Sequence, residues 1–210
     1  MWTRPWKMVE GFAVGAGLVL VGLLLQFSAG PIAWSNLSFP VNFIILAGYL
    51  LAMGLVYVFR NKVYSFKFLS SYAAAIPALA CAVALTAIMG LTKQMPDGYP
   101  ASDPLGLSRM LSFWPFVLIY IWVSVIVAQA TINKAMHFKW RDVPFMLNHA
   151  GLLIVMLCAT LGNADMQRLK MTIHKSSPEW RATNDQGKIV EMPLAIQLKE
   201  FEIYEYPPKL

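Results

Sequence analysis

Five long apolar stretches, none of which holds an Asp, Glu, Lys or Arg, constrain this chain more than anything else in it: residues 11–30, 41–59, 68–92, 111–133 and 143–162. Each is long enough for the roughly 20 residues a helix needs to cross a bilayer's hydrocarbon core. In lipid every backbone donor and acceptor must be satisfied within the segment, so runs of this length predict helices and exclude barrel strands. Composition agrees: 58% of residues are hydrophobic and 13% charged, against about a quarter charged in an ordinary soluble domain. The first stretch follows a basic opening and ends in Ser28, Ala29 and Gly30, as a cleaved leader would, but it is expected to be a span, because it is too long for a leader's apolar region and more spans follow.

The expected fold is therefore an all-α polytopic membrane bundle over residues 1–162, followed by the start of a β-rich extracytoplasmic domain over residues 163–210. Orientation follows the basic residues. With the N-terminus in the cytoplasm, the inner segments carry Arg4, Lys7, Arg60, Lys62, Lys67, Lys134, Lys139 and Arg141, whereas the first two outer loops carry Lys93 and Arg109. Five spans then place the tail in the periplasm, against a weak opposite pull from Arg168, Lys170 and Lys175. The net charge of +6 sets topology and meets anionic lipid headgroups, which argues against nucleic acid as a partner.

Between the third and fourth stretches, Pro96, Gly98, Pro100, Pro104 and Gly106 predict an irregular connection. In the tail, residues 180–183 and 188–191 flank Asn184, Asp185, Gln186 and Gly187, which predicts a hairpin. Leu194, Ile196 and Leu198 alternate with Ala195, Gln197 and Lys199 as a further half-buried strand would, and a slip of phase before Phe201 and Ile203 predicts a bulge or a short bend there. Pro77 is expected to kink the third helix and Pro115 to start the fourth.

Chemistry is sparse. Cys81 and Cys158 lie inside apolar stretches and the chain has no CxxC or CxxCH, so it carries neither a thioredoxin-like pair nor a covalent haem site of its own. It also lacks a phosphate-cradling loop, zinc-ligand spacing and a nucleophile triad. His149 is the one histidine within an apolar stretch, near its cytoplasmic end. Its imidazole can ligate haem iron through one ring nitrogen while Asn148 or a carbonyl holds the other. It can equally hydrogen-bond across the bundle, with Gly151 permitting close approach, and that is the commoner role of a lone intramembrane polar residue. His137, in a turn with Lys139, Trp140 and Arg141, reads as a headgroup anchor, and His174 as a solvated tail residue. Glu10 opens the first span at the interface. Trp2, Trp6, Trp34, Trp114, Trp122 and Trp140 fall mostly at span ends, as an aromatic belt would.

Residues 147–165, where Asn148, His149, Ala150 and Gly151 open an apolar helix ending in Leu161, Gly162 and Asn163, resemble the ResB family, also called CcsB. Residues 192–207, beginning Met192, Pro193, Leu194, Ala195 and ending Tyr204, Glu205, Tyr206, Pro207, are similar to the segment that opens that family's extracytoplasmic domain. Residues 1–26 and 110–120 look like the version found in Bacteroides-type bacteria. The resemblance implies a bacterial inner-membrane subunit of the cytochrome c maturation machinery called System II. Such a subunit pairs with, or is fused to, a CcsA-type partner, and the pair moves haem outward for covalent attachment to apocytochrome c.

By position, His149 corresponds to the family's membrane histidine, an axial ligand to a noncovalent haem b in transit. Asn148, Lys139 and Arg141 are the accompanying cofactor-binding candidates, the two basic residues for haem propionates. The tryptophan-rich motif that receives haem belongs to the CcsA partner and has no counterpart here, so this chain is expected to be the non-catalytic half of a haem lyase complex. Family members continue through a larger outer domain and usually a final span, so a fragment or one piece of a split protein is expected. Two alternatives stay open: a b-type haem or quinone-reactive subunit of a respiratory complex, and a purely structural assembly scaffold.

Overall fold

A computed structural model of the chain describes residues 2–95, 99–175, 177–184 and 187–204. Pro96 and Gly98 of the outer connection, Asp185 and Gln186 of the hairpin turn, and Glu205 to Pro207 of the family-like tail lie outside the described residues. Two compact units divide between Asp165 and Met166.

The first unit holds helices α1 (Met8–Ala29), α2 (Val41–Phe59), α3 (Tyr64–Phe68), α4 (Tyr72–Leu91), α5 (Trp114–Met136) and α6 (Val143–Gly162). All but the short α3 are long and apolar enough to cross a membrane, which makes five such helices among the described residues. The expected third span, 68–92, begins later than expected, at Tyr72. Ser70 and Ser71 interrupt the helix, and the Ser71 hydroxyl donates to the Phe68 carbonyl at 2.6 Å, a local bond that competes with helical pairing. Pro115 sits in the first turn of α5, where its missing N–H costs nothing.

α5 is the central helix, packed against α1, α2, α4 and α6. α1 lies between α4 and α5 on a face defined by Gly11, Gly15 and Gly22. A Cβ on Gly11 would lie 2.2 Å from the Ala73 carbonyl oxygen, one on Gly15 2.8 Å from the Cys81 sulfur, and one on Gly22 2.6 Å from the Pro115 backbone. Small residues let helices approach this closely where lipid offers no hydrophobic drive for association. Pro77 contributes directly. Lacking an N–H, it leaves the Ala73 carbonyl, four residues earlier, without its helical donor, and that oxygen is the atom nearest to where a Gly11 side chain would begin. Trp122, one of the tryptophans read as belt or core residues, packs in the core beside Gly15, Ala74, Ala78 and Ile119.

Polar ties hold the remaining helices. Gln129 on α5 is fully buried and donates to the Met53 carbonyl of α2 at 3.0 Å. Tyr49 on α2 donates to Ser124 at 3.2 Å, and Tyr120 on α5 to the Met156 carbonyl of α6 at 3.0 Å. Asp165, just beyond α6, accepts from the Phe39 amide at 2.9 Å and the Asn42 side chain at 2.7 Å, tying the start of α2 and the residue before its N-cap to the end of α6.

The two ends of the bundle differ. One gathers Arg4, Lys7, Arg60, Lys62, Lys67, Lys134, Lys139 and Arg141 around the α2–α3 and α5–α6 connections and the N-terminus. There Trp6 stacks edge-on against Tyr64 and Phe68, and Glu10 accepts from the Trp2 and Lys7 amides. At the other end, the connection read as irregular is a built cap. Its 3₁₀ segment Leu107–Ser112 buries Met110 completely, and Gln94 accepts from the Met110 amide. Asp103 accepts from the Leu107 and Ser108 amides, each at 2.7 Å.

The second unit is a three-stranded antiparallel sheet, β1 (Leu169–Lys170), β2 (Glu179–Asn184) and β3 (Ile189–Ile196), in sequence order. The hairpin expected around residues 184–187 is present, with Gly187 at φ +80° where a side chain would be strained. Two expectations are corrected. Residues 194–198 do not form a separate strand, since β3 runs from Ile189 to Ile196. The irregularity falls within the β2–β3 pairing between Arg181↔Glu191 and Glu179↔Ile196 rather than before Phe201. Pro193 lies in that interval and cannot donate to a ladder. The third strand is instead the two-residue β1.

Candidate functional site

His149 projects from α6 one and a half turns past its start, at the basic end of the bundle. Its Nδ1 lies 3.0 Å from the Phe145 carbonyl oxygen one turn back. A carbonyl can only accept, so Nδ1 is the donor in this contact, and the tautomer with its proton there is the one that leaves Nε2 for a metal. The Phe145 ring stacks on the imidazole, 3.7 Å between centroids at 17°, which fixes the ring plane as well as the tautomer. Asn148, the other candidate to hold the ring, is exposed and plays no part in this. Gly151 has open space where a Cβ would stand, so it makes no close approach to another helix.

His149 lines a cavity of about 330 Å³. α4 and α6 both pack on α5 but scarcely touch each other, so the cavity is a cleft between them with α5 as its floor. The α4 wall runs from Tyr72 to Leu79, about 10 Å of helical rise. Val123, Ile126, Val127 and Ala130 make an apolar floor, and the polar lining residues, Ser70, Ser71, Tyr72, Asn133, Lys134 and His149, stand toward the basic end. Its volume lies at the lower edge of the ~300–1,000 Å³ typical of small-molecule sites.

Lys139 and Arg141 do not line this cleft. They line a second, adjoining cavity of about 200 Å³ with Asn133, Lys134, His137 and Asp142. Asn133 and Lys134 are shared between the two. Lys134 pairs with Asp142 at 3.1 Å and lies 5.7 Å from the Phe145 ring centroid, and Asn133 accepts from Arg60 at 2.7 Å. His137 lies in the second cavity with its Nδ1 3.0 Å from the Asn133 carbonyl, while His174 is exposed in the other unit. Sequence reasoning missed Phe145, Asn133 and Lys134. Phe145 had a signal, lying four residues before His149 and hence on the same helical face.

Among the described residues no three His, Cys, Asp or Glu side chains gather as a metal cluster would. The arrangement is one oriented imidazole lining an apolar slot, with cationic side chains in the adjoining cavity. The fold and site together define a bundle of membrane-crossing length with a single-imidazole cleft. No family model matches the chain, and neither a curated protein nor a solved structure does.

Proposed function

We propose that this chain is the ResB-like membrane subunit of a System II cytochrome c maturation complex in a bacterial inner membrane. It holds haem b noncovalently for a CcsA-type partner, which attaches it to apocytochrome c. The observation that carries the reading is the His149–Phe145 arrangement: an imidazole whose tautomer and plane are both set, lining an apolar cleft that adjoins a cavity bordered by basic side chains. Bound haem would supply the vinyl groups that react with cytochrome thiols elsewhere in the complex. The residues of this chain would bind and orient it, His149 by ligating the iron through Nε2 and Lys139 and Arg141 by attracting the propionates. The basic end then faces the cytoplasm, and the sheet of residues 169–196 lies outside.

A two-haem electron carrier is a weaker reading, because His149 is the one imidazole lining the cleft and such carriers use several. Haem content of the complex, purified with its partner, tests the proposal. His149→Ala is expected to lower retained haem at least tenfold, as losses at metal sites do, and Asn148→Ala to leave it unchanged. Equal haem in His149→Ala and wild type would leave the chain a scaffold.

A further inference from the structure

We infer that the apolar cleft between α4 and α6 and the basic cavity at the α5–α6 turn form one bipartite site for an amphipathic carboxylate, with Lys134 exchanging Asp142 for the ligand's acid group. The inference deepens the haem-holding reading and rests on it for the ligand class, but its geometry stands apart from iron. Lys134 and Asn133 line both cavities, so they form the threshold between an apolar compartment and a cationic one. A molecule with a flat apolar body and an acidic edge matches that division; one wholly apolar or wholly polar does not.

Lys134 is set to serve both compartments. Its ammonium is held by Asp142 at 3.1 Å, its side chain is 42% exposed against 12% for Asp142, and the Phe145 ring lies near it. An exposed lysine held by one carboxylate can turn to a second within reach, because four rotatable bonds separate the charge from the backbone. His137, Lys139 and Arg141 surround the same cavity, so an acid group entering there meets net positive charge even while Asp142 stays ionised. The open side of the cleft, where α4 and α6 do not pack together, lets such a ligand enter sideways from the leaflet at the basic end. Tyr72 and Leu79, both exposed, stand on its α4 rim.

Metal-free protoporphyrin IX and its dimethyl ester separate this from iron ligation, since neither can bind through His149 Nε2. The full chain, in nanodiscs of zwitterionic lipid, is titrated with each by porphyrin fluorescence. Wild type is expected to prefer the acid to the ester by about fivefold, the scale of a half-exposed ion pair. Lys134→Gln is expected to erase that preference, and Asp142→Asn, which frees Lys134, to increase it. Equal binding of acid and ester, no binding of the acid, or a preference that survives Lys134→Gln would each overturn the inference. Loss of the preference when anionic lipid replaces the zwitterionic one would also overturn it, because the site would then belong to lipid phosphates. A Lys134-dependent preference beside a haem content indifferent to His149→Ala would sustain the inference and sink the axial-ligand reading.

Discussion

Replacing Gly11 with alanine would place a Cβ 2.2 Å from the Ala73 carbonyl oxygen and 2.7 Å from Pro77 Cγ. Carbon and oxygen in contact need more than 3 Å, so something must move by about an ångström. Neither neighbour is a flexible chain end: one is helical backbone and the other a proline ring, so the displacement falls on the α1–α4 packing as a whole. Overpacking of this kind costs about 1–3 kcal/mol, against which alanine's better helix propensity returns up to about 1 kcal/mol. Gly17 provides the control, since its Cβ would meet nothing within 4 Å and only the propensity gain applies. Thermal unfolding in one detergent should therefore separate the two variants by roughly 1–3 kcal/mol, Gly17→Ala at or above wild type and Gly11→Ala below it. Gly22→Ala, facing the Pro115 backbone, should resemble Gly11→Ala, while Gly15→Ala should be milder because the Cys81 side chain can rotate away. If Gly11→Ala proved as stable as Gly17→Ala, the close α1–α4 contact would be wrong.

Asp165→Ala removes the acceptor of the Phe39 amide and the Asn42 side chain. It is expected to cost about 1–3 kcal/mol in thermal unfolding, the range for lost hydrogen bonds to a charged group, with Asp165→Asn intermediate. Burial pushes the Asp103 carboxyl up, but hydrogen bonds from the Ser108 side chain and from the Ser108, Leu107 and Gly106 amides outweigh it and bring it down to about 2. Its folded value thus lies below its ordinary 3.8, so its stabilisation of the cap is complete above that value and fades as pH falls toward 2. Hydrogen exchange at the Leu107 and Ser108 amides should quicken over that acid window, and Asp103→Asn should remove the pH dependence. Gln129 is wholly buried with its Oε1 unpartnered, so Gln129→Leu should change stability by no more than about 1 kcal/mol in the same melts, because it removes an unsatisfied acceptor along with one donated bond.

The five helices were legible because an uncharged apolar run of membrane length has few other ways to satisfy its backbone. The hairpin was legible because Asn184 and Gly187 bracket a turn between β-prone residues. Helix starts were less so. The break at Ser70 and Ser71 depends on a side chain turning back on its own backbone, and a hydroxylated pair inside an apolar run gives no sign of which way it will turn. The cap formed by residues 94–95 and 99–113 was hidden for a related reason: Gln94, Asp103 and Ser108 acquire their meaning only from amides that the chain brings back to them. In the site, His149 stood out because an ionisable group in an apolar helix needs a reason, and Phe145 follows from helical spacing. Lys134 did not stand out, since a lysine at a span end is ordinary in sequence. Its position on the threshold of two cavities depends on the angle at which α6 returns beside α5, and no local pattern encodes that angle.

The most direct test of the haem-holding account is the visible spectrum of the complex, coexpressed with its CcsA-type partner and purified as wild type and as His149→Ala, with and without added imidazole. The account predicts a b-type Soret band in wild type, its loss in His149→Ala, and its return when imidazole fills the space the side chain left. An identical band in both proteins, indifferent to imidazole, would contradict it.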